Sequence, residues 1–593
     1  MNHAGRKGTV IMTNEYLVKK VFNSYLFMSI LATVAATVGM LVDGIVIGQF
    51  LGGDCVSAQG LASPVFILVT AAAGVFCNGG TSCCSNHLGR GEDEKIRLNF
   101  TVTCAGAFII GVLVVAVCVC FGNPIAVFLG AERELVSLTG DYVRGIGIGG
   151  VFIMLSQVIM YYIRLDNDSA LSFISVVVMT VVNIALDIIF TNVFHMGMFG
   201  MGLATSISYG VCLLVCCIHF LKKENILKLT VPKGGMREVG DVMLTGFPSA
   251  FNRACMTIRG ILLNHLLITL GGSMAVSALT VQNNVNQILS AVTMGVGMTT
   301  MLIAGIFYGE RDSKSLEKTL KVSLKSGAFL SVITMVAVLI FARPLVGMFI
   351  NDGNSIELAV RSLRFFCLSL PFSLSCVVLL NFYQCTKRLF MANLICACHG
   401  LVFVVAFSFC LSPLLGTDGV WISFLCAEIL TLAAVVVAVR IKGGAWPKSF
   451  KQMMMLERDF VPQKEHILDL SLKNDMAQVM ELSGRISGFG KKYCGDGEKV
   501  DKLALCIEEM AGNIVQHGFK DKKEHFMDIR VIITGDNIIF RIRDDGVSFN
   551  PLQYADKEKE SSSGTLGIRV IQKIAQNMEY SNTIGLNNLT ITL

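Results

Sequence analysis

The feature that most constrains this chain is a series of long apolar runs that fills the sequence up to about residue 440. Each run has about 20 residues or more, which is enough to cross a bilayer as a helix. Twelve runs are counted, beginning near Phe22, Leu61, Asn99, Val143, Leu171, Phe199, Val242, Val281, Leu320, Arg361, Met391 and Asp418. With 53% hydrophobic and 16% charged residues, the chain is too apolar for an ordinary soluble protein. We predict a polytopic all-α membrane protein of twelve helices.

Basic residues fall on alternate connections between these runs. They are Lys19, Lys20, Arg90, Lys95, Arg97, Lys222, Lys223, Lys228, Lys233, Arg237, Arg311, Lys314, Lys318, Lys321, Lys387 and Arg388. The positive-inside rule places these connections in the cytoplasm, and twelve crossings return the chain to its starting side. No cleavable signal peptide is evident before the first run. We expect a multi-pass protein of the inner (plasma) membrane, with both termini cytoplasmic.

The apolar part contains an internal repeat at an offset of 220 residues. Residues 56–58 and 276–278 both read Val-Ser-Ala, and Pro124 matches Pro344, Arg144 matches Arg364 and Gly89 matches Gly309. Polar and Gly matches in register are not explained by chance similarity of apolar sequences. The repeat predicts two six-helix bundles related by an axis along the membrane normal, with a substrate cavity between them.

Charge density divides the chain into four segments. Residues 15–220 and 221–440 form the two predicted bundles, residues 441–463 a basic juxtamembrane linker, and residues 464–593 a polar tail. The linker suits anionic lipid headgroups, although a plain solvated connection explains it equally well. The tail is expected on the side where ATP is found.

An amide and an acid interrupt the fifth apolar run. Asn183 and Asp187 are four residues apart, so a helix presents both on one face. An acid within a membrane span normally faces a bundle interior and marks an ion or proton path; the alternative is an acid solvated at the membrane surface. Asp43 after the first run and the hydroxyl of Thr205 in the sixth could join them, as an oxygen-rich Na⁺ site or as carboxyls that take up H⁺.

The twenty cysteines give no motif. Eighteen lie in the membrane part, and Cys396 and Cys398 have the wrong spacing for a paired metal-binding motif. We expect the cysteines to act as small apolar side chains and to form no metal site.

The membrane part resembles the multidrug and toxic compound extrusion (MATE) family over about residues 15–440. The resemblance rests on the twelve-run repeat, on VDGIVIGQFLG in the first run, on LGRGED after the second and on NxxxD in the fifth. It implies export of amphipathic, often cationic, small molecules in exchange for Na⁺ or H⁺. The family's cation-coupling residues match Asp43, Asn183, Asp187 and Thr205.

The tail reads as an α/β sandwich in which three short motifs carry chemistry. These are LCIEEMAGNIVQHG, RDDGVSFNP and SGTLGIRVI, and no Walker-type GxxxxGK[ST] occurs. Glu509 and Asn513 lie one turn apart on one helix face, where the amide oxygen can ligate Mg²⁺ and the carboxylate can deprotonate a hydroxyl. Asp544 can accept from an adenine amino group, Gly546 lets the backbone approach, and Gly564 and Gly567 open a helix toward phosphate.

Together these motifs resemble the ATP-binding boxes of the GHKL superfamily over about residues 464–593, and within it the anti-sigma-factor serine kinases. The resemblance implies ATP with Mg²⁺ and Glu509 as the base that phosphorylates a serine of an antagonist protein. It also implies a mobile lid at about residues 547–566, containing Ser561, Ser562 and Ser563. His517 is expected to pack the end of its helix rather than to catalyse.

Two functions stay open on the sequence, besides a weaker third in which the tail holds ATP without phosphotransfer. The first is a cation-coupled exporter of amphipathic drugs that carries a regulatory ATP-binding module with serine-kinase-like character. The second is a membrane-anchored protein serine kinase whose transporter-like half serves as a ligand sensor. The expected partners are lipid, small substrates and an antagonist protein. Nucleic acid is not an expected partner.

Overall fold

The structure is a computed structural model that describes residues 15–222, 225–231, 235–349, 353–457, 460, 466–519, 523–535, 537–552 and 563–593. It contains two compact units. One unit comprises Phe22–Leu456, and the other comprises Met1–Val21 together with Glu457–Leu593. Each unit has its own helices and its own hydrophobic core.

The larger unit is helical throughout. Its helices are α1 (Tyr16–Val46), α2 (Gly53–Gly89), α3 (Asp93–Phe128), α4 (Arg133–Ile148), α5 (Gly150–Leu165), α6 (Ser169–Asn192), α7 (Gly197–Cys217), α8 (Met236–Gly309), α9 (Ser313–Gly347), α10 (Gly353–Cys367), α11 (Leu370–Cys385), α12 (Leu389–Ala397), α13 (Phe403–Leu415), α14 (Thr417–Gly443) and α15 (Phe450–Met453). A π-helical turn, Ile47–Leu51, extends α1, and another, Cys398–Val402, joins α12 to α13.

Nine helices in the described residues are long and apolar enough to cross a membrane, or eleven when each of two bent pairs counts as one span. The bent pairs are α4 with α5 and α10 with α11, at 48° and 49°. Gly271 and Gly272 break α8 into two stretches of about 35 residues, because neither has helical backbone angles. Each stretch is long enough to cross by itself. The count of twelve spans stays a prediction.

The two halves repeat each other element by element. Helices α3, α5, α6 and α7 begin at Asp93, Gly150, Ser169 and Gly197, and α9, α11, α12 and α14 begin 220 residues later, at Ser313, Leu370, Leu389 and Thr417. The bent pairs also correspond. This agreement places α1–α7 in one bundle and α8–α14 in the other, as the sequence repeat predicts.

The bundles meet along a seam of small residues where α2 and α8 end. Gly89 and Gly309 are equivalent in the repeat, and a Cβ on either one would lie 3.0 Å from the Cα of the other. Each glycine also faces a backbone carbonyl of the opposite helix, that of Ile306 or that of Asn86, so tightly that no side chain fits. The pseudo-twofold axis therefore passes between two glycines in backbone contact.

Hydrogen bonds flank this glycine seam. The Asn86 Nδ2 donates to the Cys385 carbonyl oxygen at 3.2 Å, and the Asn78 Nδ2 donates to the Ser249 Oγ at 2.9 Å. These bonds join α2 to helices of the second bundle. In α2 the residues that precede the seam are buried almost without interruption from Val75 to Asn86, whereas the first half of the helix is largely exposed or half-buried. The bundles are thus held together at one end of α2.

A histidine between two carboxyl groups ties the α5–α6 connection to the end of α7. The His219 Nε2 lies 2.8 Å from the Asp166 Oδ2, and its Nδ1 lies 2.8 Å from the Asp168 Oδ2. Burial raises the pKa of Asp168, but hydrogen bonds from Lys222 and His219 outweigh burial and hold that pKa below its ordinary value.

The C-terminal module is a five-stranded antiparallel sheet with helices packed on it. Its elements are β1 (His466–Lys473), α16 (Met476–Tyr493), α17 (Gly497–Asn513), a π-helical turn (Ile514–Gly518), β2 (Phe526–Thr534), β3 (Asn537–Asp544), α18 (Ser563–Ile574), β4 (Asn577–Thr583) and β5 (Leu586–Thr592). The strand order is β1-β2-β3-β5-β4. Apolar residues of α16, α17 and α18 form one core with the sheet, including Leu482, Ile507 and Ile571.

The linker and the chain start are both packed rather than free. Within the larger unit the Tyr383 hydroxyl donates to the Met453 carbonyl oxygen of α15 at 2.7 Å. Within the smaller unit the Tyr16 ring lies 4.9 Å from the Phe526 ring, and Lys20 forms an ion pair with Asp545. Tyr16 and Lys20, in the first turns of α1, therefore contact the C-terminal module at Phe526 and Asp545.

The glycine seam predicts a selective effect of one added methyl group. Gly309→Ala places a Cβ against the Asn86 carbonyl, and overpacking of this kind typically costs about 1–3 kcal/mol. We expect a lower unfolding temperature of the purified full chain in detergent. Gly240→Ala, in the same helix with nothing within 4 Å of the added Cβ, is the matched control. Equal unfolding temperatures for the two variants would contradict the seam.

Candidate functional sites

The amide and the acid of α6 form a buried pair. The Asn183 Nδ2 donates to the Asp187 Oδ2 at 2.8 Å, as their four-residue spacing on a helix predicts. Asp187 has no solvent-exposed surface, and its Oδ1 has no hydrogen-bond partner among the described residues. The alternative of an acid solvated at the membrane surface is therefore wrong. Asp187 faces the interior of the first bundle with one oxygen unsatisfied.

A second carboxyl from α1 meets this pair. Asp43 interacts directly with Asp187, and the buried Asp43 Oδ1 also lacks a hydrogen-bond partner in the described part of the chain. Two carboxylates this close repel each other in a low-dielectric interior unless a proton or a cation lies between them. The structure thus brings Asp43, Asn183 and Asp187 together, with two orphaned oxygens available to a cation.

A local contact between α1 and α6 lies one helical turn before Asp43. A Cβ on Gly39 would lie 3.1 Å from the Thr180 Cγ2, so a larger residue would push the helices apart. The Thr180 Oγ1 donates to the Ala35 carbonyl oxygen at 3.3 Å, one turn earlier on α1. Asp43 follows Gly39 by one helical turn, and this contact therefore fixes its distance from α6.

Two tyrosines border the acid pair, and the sequence reasoning missed both. Tyr142 of α4 is buried, lies near Asp43 and Asp187, and shares a hydrogen bond with Gln59 of α2. Tyr209 of α7 lies near Asp43. The signal in the sequence is a phenol on each helix, because a buried phenol needs a hydrogen-bond partner.

Thr205 does not join the pair through any hydrogen bond seen in the described residues. Its buried hydroxyl donates to the Met201 carbonyl oxygen of its own helix at 3.2 Å. Helix α7 packs against α6, so Thr205 is near the correct face, but Tyr209, one turn later, is the α7 residue that approaches Asp43. The role of Thr205 in cation binding stays a prediction.

In the C-terminal module, α17 presents Glu509 and Asn513 on one face. Glu509 is exposed, whereas the Asn513 Nδ2 is buried and has no hydrogen-bond partner among the described residues. The orphaned Asn513 Nδ2 could donate to a phosphate oxygen of a nucleotide, and the amide oxygen could ligate its Mg²⁺. His517 is exposed in the π-helical turn, so the expectation that it packs the helix end is wrong.

Asp544 closes a tight loop at the end of β3. Its Oδ1 accepts from the Gly546 backbone N–H at 2.8 Å and from the Asn587 Nδ2 at 2.9 Å. A Cβ on Gly546 would lie 2.6 Å from the Gly518 carbonyl oxygen, so only glycine fits there. Burial of Asp544 raises the pKa of its carboxyl. This arrangement packs the backbone of Gly546 against that of Gly518.

Asn587 clamps this loop, and the sequence reasoning missed it. Besides Asp544, the Asn587 Nδ2 reaches the carbonyl oxygens of Gly546 at 3.3 Å and Val547 at 3.1 Å. The pairing of β3 with β5 sets Asn587 directly opposite Asp544. The contact requires this strand register, and the register cannot be predicted from the motif alone.

Helix α18 approaches the proposed base. A Cβ on Gly567 would lie 2.5 Å from the Glu509 Oε2, so the absence of a side chain lets the helix reach α17. Gly564 lies in the first turn of the same helix, which begins at Ser563. Ser561 and Ser562 lie outside the described residues, as does most of the predicted lid. The orphaned Asn513 amide and the glycine-bearing start of α18 together fit a nucleotide.

Comparison with known families assigns both parts of the chain. A model of the family MatE matches residues 29–189 and 248–410. A model described as histidine kinase-like ATPase domain matches residues 472–593. The first match includes Asp43, Asn183 and Asp187, and the second includes Glu509, Asn513, Asp544 and both glycine positions of α18.

Curated relatives match the membrane part. "Multidrug export protein MepA" of Staphylococcus aureus (strain bovine RF122 / ET3-1) is 24% identical over 396 residues, covering 66% of this chain and 87% of that protein. The protein of the same name from Staphylococcus saprophyticus is 25% identical over 398 residues, with the same coverage.

Solved structures match its fold. "Outward-facing conformation of a multidrug resistance MATE family transporter of the MOP superfamily" aligns with TM-score 0.68 and 22% identity, covering 72% of this chain and 95% of that one. "Crystal structure of MATE in the bent conformation" aligns with TM-score 0.67 and 21% identity, covering 75% and 100%.

The raised pKa of Asp544 predicts a pH-dependent nucleotide site. Only the ionised carboxylate is a pure acceptor for an adenine amino group, so ATP affinity should fall as pH drops through the raised pKa. The fall should begin above 3.8, the ordinary value. Titrating the full chain with ATP between neutral and mildly acidic pH measures it.

Asp544→Asn serves as the control for this pH dependence. The variant should bind ATP more weakly at every pH and should lose the part of the pH dependence that belongs to the protein, while the titration of the ATP phosphates remains. An identical pH profile in wild type and variant would show that Asp544 does not contact the base.

Proposed function

Since the chain belongs to the MATE transporter family and ends in a histidine kinase-like ATPase domain, we propose that it is a cation-coupled exporter of amphipathic drugs with an ATP-binding regulatory module. The observation that carries the proposal is the direct meeting of Asp43 and Asp187 inside the first bundle. A helix contact with a purely structural role does not require two adjacent buried acids. MepA, which the membrane part resembles, is named as a multidrug export protein.

The acid pair supplies the coupling. With a cation or proton bound, the pair carries less negative charge and α1 can stay packed on α6. Without it, the two carboxylates repel, and the arrangement of the bundle changes. The donor set of two carboxyls and the Asn183 amide suits either Na⁺ or H⁺, with Thr205 as a further oxygen. Inward flow of the cation then drives outward flow of the drug.

The orientation follows from charge. The basic connections after α2 and α8 lie at the end where the glycine seam closes, and the positive-inside rule assigns that end to the cytoplasm. In this orientation both termini and the ATP-binding module are cytoplasmic, and the inward-facing entrance is the one that the seam shuts.

In the module, we assign ATP to the face formed by α17, the Asp544 loop and the start of α18. Asp544 accepts from the adenine amino group, the Asn513 amide ligates Mg²⁺, and backbone N–H groups at Gly564 and Gly567 hold phosphate. ATP supplies the transferable γ-phosphoryl group. Glu509, exposed beside Gly567, accepts the proton of an attacking serine hydroxyl from an antagonist protein. ATP here regulates export and does not drive it.

Transport should depend on the charge of Asp187. In proteoliposomes with imposed Na⁺ or pH gradients, Asp187→Asn should lower gradient-driven efflux of a cationic dye by about tenfold or more, because the amide cannot take up a proton and gives no charge to a cation. Asp54→Asn, an exposed acid at the start of α2, is the control. Full efflux by Asp187→Asn would refute coupling, and absence of any flux in wild type would favour the sensor-kinase function.

The module should separate binding from phosphotransfer. Glu509→Gln should retain ATP binding but lower serine phosphorylation of an anti-sigma-factor-type antagonist by about 100-fold or more, whereas Asn513→Ala should lose ATP binding itself. Glu508→Gln, a neighbouring exposed acid, should change neither. Labelled ATP with the full chain gives both readouts. If Glu509→Gln phosphorylates as fast as wild type, Glu509 is not the base.

A further inference from the structure

The second bundle holds a buried cluster of a thiol, an imidazole and a carboxyl that the transport site does not use. Cys376 lies on α11, His399 in the π-helical turn Cys398–Val402 and Glu428 on α14. None is more than 5% exposed. One donor atom from each residue lies within 4.8 Å of the other two. Three helices therefore bring three metal-ligand side chains to one point.

The donor atoms of this Cys376–His399–Glu428 cluster do not satisfy one another. The His399 Nδ1 lies 2.6 Å from the Glu428 Oε1, but the angle between the two groups is not that of a hydrogen bond. The Glu428 Oε2 is buried and has no hydrogen-bond partner in the described residues. Buried polar atoms without partners are costly, so this arrangement needs a further group. A cation bound by lone pairs of all three would supply it.

The cluster does not repeat the first-bundle acid site. The 220-residue repeat makes Phe407 the equivalent of Asp187, and His399 lies about two helical turns before Phe407. The repeat equivalents of Cys376 and Glu428 are Ser156 and Ser208. The second bundle therefore holds a donor set that the first bundle lacks.

The donor set selects the cation. A thiolate, an imidazole and a carboxylate are the ligands that Zn²⁺ combines, whereas Na⁺ and Mg²⁺ prefer oxygen alone. Ligand atoms around tetrahedral Zn²⁺ lie about 3.5 Å apart, so the His399 and Glu428 atoms would separate by about 1 Å. We infer that Cys376, His399 and Glu428 form a Zn²⁺-binding site within the second bundle. Binding forms the Zn–S bond and releases the Cys376 thiol proton to solvent.

One positive charge faces the site and sets its limits. The Arg259 guanidinium of α8 lies 5.4 Å from the Phe424 ring centroid, donates to the His399 carbonyl oxygen at 3.4 Å and lies near Glu428. It opposes a cation, so binding requires both anions, the thiolate and the carboxylate, to balance the divalent ion. The other titratable groups nearby are the thiols of Cys255, Cys396 and Cys398. A monovalent or hard cation would gain too little binding energy from these donors to offset its repulsion by Arg259.

The test uses the full chain in detergent after removal of metal with a chelator. Titration with Co²⁺, a spectroscopic substitute for Zn²⁺, should give a thiolate-to-cobalt charge-transfer band that Zn²⁺ removes. Elemental analysis should find one more equivalent of bound zinc in wild type than in Cys376→Ser or Glu428→Gln. Zinc should also raise the unfolding temperature of wild type, because it binds only the folded cluster.

Matched variants identify the site. Cys385→Ser removes another buried thiol of α11 and should keep the band and the zinc equivalent. Asp187→Asn should keep both, since it alters only the first-bundle site, and this separates the inference from the transport proposal. A wild type that binds no zinc at neutral pH, or a Cys376→Ser variant with an unchanged cobalt band, would overturn the inference.

Discussion

The contact on which the architecture depends is the meeting of two equivalent glycines, Gly89 and Gly309, at the end of α2 and α8. Backbone contact across a pseudo-twofold axis leaves no room for side chains. At this point the two bundles are therefore either in direct contact or separated. Packed interfaces of this kind switch between discrete states and do not deform gradually. The basic connections after α2 and α8 lie at the same end as the seam, so in the proposed orientation the seam would be the cytoplasmic gate.

The acid pair can act on the seam through α1. This helix carries Asp43 near its end and contacts α8 earlier, where a Cβ on Gly295 would lie 2.7 Å from the Ile30 side chain. A change of charge at Asp43 and Asp187 alters how α1 packs on α6, and α1 meets the second bundle directly. Under the proposed function, the cation gradient drives export and the ATP-binding module serves regulation.

The sequence predicted features that depend on local spacing. Apolar run length predicted the membrane spans, the 220-residue register predicted the repeat, and the four-residue spacing predicted the Asn183–Asp187 bond. It missed what depends on pairing of distant segments: Tyr142, Asn587 and the Cys376–His399–Glu428 cluster. Strand β4, Asn577–Thr583, was not recognised from the sequence, because its mostly polar residues show no clear apolar–polar alternation.

The central claim is that the charge of the acid pair decides whether the glycine seam is closed. It is tested most directly by pulsed electron spin resonance distances between labels at residues 90 and 310, which flank the seam. The wild-type label distance should be short in one of two conditions that differ in pH or Na⁺, and a longer distance should appear in the other condition. In Asp187→Asn the distance distribution should be the same in both conditions. A distance that stays constant in wild type, or changes equally in Asp187→Asn, would contradict the account.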